Sequence, residues 1–115
     1  MSIVDLFSKK TVFSFEVFPP RRNASIDTIY ETLYKLQDLR PDFISVTYGA
    51  GGGENKQSTV SIAEHIEDIC HVPGVVHFPC VGLTKDDVLE KIEEFKRAGI
   101  QNILALRGDI PDGME

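Results

Sequence analysis

Short runs with a hydrophobic period of two alternate with longer runs of period three and four along almost the whole chain. Each change of period falls on turn chemistry. The first strand is predicted over Val12 to Phe18 and ends at Pro19-Pro20. Ser25 can cap a helix whose apolar positions, Ile26, Ile29, Tyr30, Leu33, Leu36 and Leu39, fall on one face. Pro41 forces an exit into a second strand, Phe43 to Tyr48, followed by the glycine-rich turn of residues 49–53. A second helix over about Gln57 to His71 turns Ala63, Ile66, Ile69 and Cys70 inward, and Val75 to Val81 read as the third strand. Thr84 with Asp87 makes a capping-box start for a third helix, with Val88, Leu89, Ile92, Phe95 and Ala98 as its buried stripe. Asp87–Lys91 and Glu93–Arg97 are favourably spaced for ion pairs on its wet side, and Gly99 suits the left-handed position that ends it. The fourth strand, Asn102 to Leu106, runs into Arg107-Gly108-Asp109. Residues 1–11 read as a short lead-in helix.

This order gives an α/β fold of about four parallel strands and three crossover helices, without a linker or domain boundary. Two architectures compete, an open doubly wound sheet and a segment of a (β/α)8 barrel. The strands favour the barrel. In the first, Phe13, Phe15 and Val17 share one face while Ser14 and Glu16 share the other; in the second, Ile44 and Val46 oppose Ser45 and Thr47. His77 sits within the third strand, and Arg107 and Asp109 follow the fourth. Polar groups thus gather toward the C-terminal strand ends, where parallel barrels place their chemistry. The competing explanation is that Glu16 faces solvent on an edge strand and Ser14 and Ser45 are fillers.

Composition narrows the function classes. At 42% hydrophobic and 26% charged, the 115 residues suit an ordinary globular unit. A net charge of −6, with basic residues clustered only as Lys9-Lys10 and Arg21-Arg22, argues against nucleic-acid binding. No apolar run approaches a membrane span, and Asp5 interrupts the place where a signal peptide needs apolar sequence, so a cytoplasmic location is expected. Cys70 and Cys80 lack metal-ligand or disulfide-framework spacing and read as small apolar residues. His65 and His71 are expected to face solvent. The glycine-rich turn has neither P-loop nor dinucleotide-fold spacing.

Three segments resemble the methylenetetrahydrofolate reductase family: Phe13-Ser14-Phe15-Glu16-Val17-Phe18-Pro19-Pro20-Arg21, the run from Phe43 through Thr47-Tyr48 to Gly52, and Ala105-Leu106-Arg107-Gly108-Asp109. The resemblance extends over essentially the whole chain. It implies a (β/α)8 TIM-type barrel with FAD at its C-terminal mouth, NADH or NADPH as hydride donor, and reduction of 5,10-methylenetetrahydrofolate to 5-methyltetrahydrofolate in one-carbon metabolism. By motif match, Glu16 is the general acid that protonates the departing folate nitrogen, its ionised form disfavoured by Phe15, Val17 and Phe18. Asp109 lies near flavin and folate, stabilising the iminium cation. Thr47, His77, Arg107 and Gly108 correspond to flavin-contacting positions, Gly108 allowing close backbone approach. No metal is implied.

A complete barrel takes about 250 residues, so this chain is expected to form its N-terminal half, with activity requiring the remainder. The alternative is a non-catalytic half-barrel that pairs with itself or a complementary chain; a lyase or transferase barrel without flavin is a third reading.

Overall fold

The fold is that of a computed structural model, which describes residues 2–20, 25–48 and 56–110. The glycine-rich turn at 49–53 and the Arg21-Arg22 pair lie outside the described residues. Helix α1 (Ile3–Phe7) leads into strand β1 (Ser14–Val17), helix α2 (Asp27–Leu36) and strand β2 (Phe43–Val46). Helix α3 (Lys56–His65), strand β3 (Gly74–Pro79), helix α4 (Lys85–Arg97) and strand β4 (Asn102–Leu106) complete the order.

All three strand pairings are parallel, and the sheet order is β1-β2-β3-β4. A doubly wound sheet reverses its strand order at a switch point; these four strands do not. Nor are the crossover helices shared between two faces. Val17, Ile44, Val46, Val76 and Phe78 form one apolar cluster with Leu33 of α2, Ile62, Ala63 and Ile66 at α3, and Phe95 of α4. The three crossover helices therefore cover one face of a singly wound sheet. Burying a side chain such as Leu33 or Phe95 fully contributes about 1.5–3 kcal/mol. Phe78 and Phe95 meet edge to face with ring centroids 5.4 Å apart, the preferred aromatic geometry.

Local signals account for many boundaries. Thr84 and Asp87 form the expected reciprocal capping box, at 3.1 and 3.0 Å, and Gly99 takes the left-handed conformation at φ 79°. Ser25 Oγ accepts from the Asp27 amide at 3.1 Å, although Ile26 occupies the cap position itself. Other expectations are corrected. The lead-in helix is confined to Ile3–Phe7, and the helix predicted to run to His71 changes after His65 to a π-helical turn at Ile66–Cys70. Leu39 and Leu89, placed in buried stripes, are exposed. Asp87 is engaged in the cap, so Lys91 pairs with Glu94 at 3.0 Å, while Glu93 pairs with Lys96 at 3.5 Å. His65 is half-buried and stacks on Tyr30 with centroids 3.8 Å apart; His71 is exposed as expected. Cys70 is buried, which raises its thiol pKa, whereas Cys80 is only half-buried; both are free.

The N-terminal end of the sheet is tied by polar contacts. Asp42 accepts from Lys10 Nζ at 2.8 Å and from the Phe13 amide at 2.9 Å, and these bonds hold its carboxyl below the usual range. Helix α1 is pinned by its first amide: Ile3 N–H donates to Asn102 Oδ1 at 2.9 Å, and Phe7 meets Phe43 edge to face at 6.2 Å. Asn102 is 5% exposed. Asn102→Ala is expected to cost about 1–2 kcal/mol, because it leaves a half-buried amide without that acceptor. Faster hydrogen exchange at the Ile3 amide would report the release of α1; unchanged exchange would show that the clamp does not hold it.

Candidate functional site

The second face of the sheet is set by register and alternation. Glu16 pairs with Ser45, and Ser45 with Val75; side chains two residues apart on a strand share a face. Ser14 and Glu16, Ser45 and Thr47, and Val75 and His77 therefore lie on the face opposite the helices. Phe15 and Val17, which flank Glu16 in sequence, point instead into the helix-covered core. The expected apolar shell of Glu16 is thus not supplied by those neighbours. Its side chain is 50% exposed, and Phe18 is exposed too.

Across this face Glu16 Oε1 lies 3.3 Å from His77 Nε2. The residues belong to β1 and β3, which are separated by β2. Strands sit about 4.8 Å apart, so the two long side chains lean together diagonally over the middle strand, where the register sets Ser45 beside Glu16 and, two residues on, Thr47 beside His77. His77 is buried, and its Nε2 has no aligned hydrogen-bond partner, the Glu16 contact being close enough but poorly angled. A buried polar atom left wholly without a partner costs about 1–3 kcal/mol, so Glu16 is the group that His77 Nε2 calls on.

The other candidates stand at the same end of the strands. Thr47 directly follows β2; its amide donates to Val17 O at 3.0 Å, and its carbonyl accepts from Thr59 Oγ1 at 3.0 Å. Thr59 is fully buried, and sequence reasoning did not single it out. Parallel pairing continues past the strand ends, with Cys80 N–H donating to Leu106 O at 2.9 Å and Val81 N–H to Arg107 O at 2.7 Å. This fixes the backbone at Arg107, whose Nε donates to Gly108 O at 3.0 Å. Gly108 has φ 83°, and a Cβ there would stand 2.7 Å from Pro79 Cβ. Conformation and the contact with Pro79 both demand glycine. Arg107 and Asp109 are exposed. The structure thus joins Glu16 to His77 and sets Thr47 and Arg107–Asp109 at the same sheet end. Among the described residues there is no metal-binding cluster, and no helix is long and apolar enough to cross a membrane.

Comparison with known proteins gives a consistent result. The family model described as methylenetetrahydrofolate reductase matches residues 2–115. The chain is 39% identical over 100 residues to the 5,10-methylenetetrahydrofolate reductase of Escherichia coli, covering 87% of this chain and 33% of that protein. It is 34% identical over 106 residues to methylenetetrahydrofolate reductase (NADH) 1 of Arabidopsis thaliana, covering 92% of this chain and 18% of the plant protein. The chain therefore spans a third or less of the length of these relatives.

Proposed function

Because the chain belongs to the methylenetetrahydrofolate reductase family, we propose that it forms the N-terminal half of a flavin-dependent (β/α)8 barrel that reduces 5,10-methylenetetrahydrofolate with NAD(P)H. The observation that carries this reading is the gathering of Glu16, Thr47, His77 and Arg107–Asp109 at the C-terminal end of singly wound parallel strands. That is where barrel enzymes assemble their sites. β1 and β4 are the edges of the four-stranded sheet, so closure requires further strands to pair with both. Activity on this reading belongs to the completed barrel, acting in the cytoplasm.

The donor set suits a flavin. His77 places its ring at that end of β3, and Thr47 and Arg107 add donor side chains beside it. These residues and Gly108 would hold FAD, which when bound supplies hydride transfer from NAD(P)H to the folate one-carbon unit. The chain's own contribution is acid chemistry and charge. Glu16 protonates the folate nitrogen as its bond to the methylene bridge breaks, and the nitrogen keeps the electron pair that takes the proton. Asp109 supplies negative charge to stabilise the resulting iminium cation.

The test is to purify the protein that carries this chain, add FAD, and measure retained flavin absorbance and NAD(P)H oxidation with and without 5,10-methylenetetrahydrofolate. Retained flavin and folate-dependent oxidation are expected. A folded protein that retains no flavin and leaves the folate unchanged would overturn the proposal.

A further inference from the structure

The contact between Glu16 and His77 asks for a proton at one particular atom. An ionised carboxylate only accepts hydrogen bonds, and neutral imidazole donates from one ring nitrogen alone. The nitrogen that faces Glu16 is Nε2, 3.3 Å from Oε1. The same Nε2 is shut off from solvent and lacks another aligned partner. A small rotation of the half-exposed Glu16 side chain would bring the pair into line, whereas His77 sits in the buried part of β3.

We propose that His77 is a positioning residue for Glu16: Nε2 carries the imidazole proton and donates it to Oε1, leaving Oε2 free to hold and release the acid proton. In the neutral acid, Oε1 accepts from Nε2–H while Oε2–H points away from β3. When the Oε2–H bond breaks, its proton leaves for the substrate nitrogen and its electron pair stays on the carboxylate. The bond to His77 then becomes charge-assisted and strengthens, so the conjugate base is held in place.

The consequence for catalysis rests on reading Glu16 as the acid, but the pairing can be measured without turnover. Long-range proton–nitrogen correlation on the 15N-labelled chain at neutral pH should show His77 as the Nε2–H tautomer. Its Hε2 should exchange with water about tenfold or more slowly than in Glu16→Ala, the change expected for loss of a hydrogen bond to a charged group. Glu16→Gln should retain the tautomer, because glutamine Oε1 still accepts, with Hε2 shifted upfield as the charge is lost. An Nδ1–H tautomer in the parent would overturn the proposal. So would an Hε2 signal that ignores Glu16→Ala. If that variant does not fold, an unchanged Hε2 shift in Glu16→Gln overturns it instead. Because these readouts need neither flavin nor folate, an intact signature in a protein inactive on folate would count against the acid role, not against the pairing.

Discussion

Gly74→Val is expected to lower the stability of the chain by about 3 kcal/mol, the upper part of the range for overpacking. The reason is the seating of α3 on the sheet. A Cβ at Gly74 would fall inside van der Waals contact of the Ala63 carbonyl oxygen, with Ala63 C and Cα each 3.1 Å away. These are helix backbone atoms, which cannot rotate aside as a side chain would. Gly74 also begins β3, pairs with Ile44, and donates its amide to Glu67 Oε1 at 3.3 Å, so the strand is held too. Urea denaturation of the two proteins measures the difference. Gly99→Ala is the informative control. At φ 79° with open space around its missing Cβ, Gly99 isolates backbone strain, which is about 1–2 kcal/mol for a left-handed residue. A smaller loss from Gly74→Val than from Gly99→Ala would mean that α3 does not pack on the start of β3.

The contrast between those glycines separates what could be read in the sequence from what could not. Gly99 was legible because its constraint is local: a glycine after the last turn of an amphipathic helix carries its own explanation. The capping box at Thr84 and the two faces of β1 and β2 were legible for the same reason. Gly74 was not, since nothing nearby in sequence announces that Ala63 will approach its backbone. The same holds for Leu39 and Leu89, which occupy periodic positions yet stay exposed. Sequence alone leaves His65 solvated, because its stacking on Tyr30 depends on how α2 and α3 lie together. At the candidate site, alternation placed Glu16 and Ser45 on one face. The meeting of Glu16 with His77 depends on the register of three strands, and the strand turns Phe15 and Val17, apolar neighbours of Glu16 in sequence, to the other face.

If Glu16 is the acid of the proposed flavin-dependent reaction, Glu16→Gln in the flavin-loaded protein is expected to slow folate reduction by about a hundredfold or more, the lower bound for removing a general acid. Glutamine matches the shape of the carboxyl and can still accept from His77, but it has no dissociable proton for the folate nitrogen. The loss should therefore appear in kcat for the folate half-reaction, with KM little changed. Flavin reduction by NAD(P)H does not require that proton and should proceed at the parent rate, which makes it the internal control for flavin binding and folding. Glu16→Ala should match the glutamine variant in the folate step while losing the His77 signature, because one change removes only the acid and the other removes both acid and partner. Rapid-reaction spectroscopy of flavin bleaching and recovery separates the two half-reactions. Normal recovery in Glu16→Gln would show that the proton comes from elsewhere, and the half-exposed carboxyl on β1 would then be a surface group beside a buried histidine. Slow bleaching in the same variant would instead place Glu16 in the nicotinamide step, which its position on the open face of β1 does not by itself forbid.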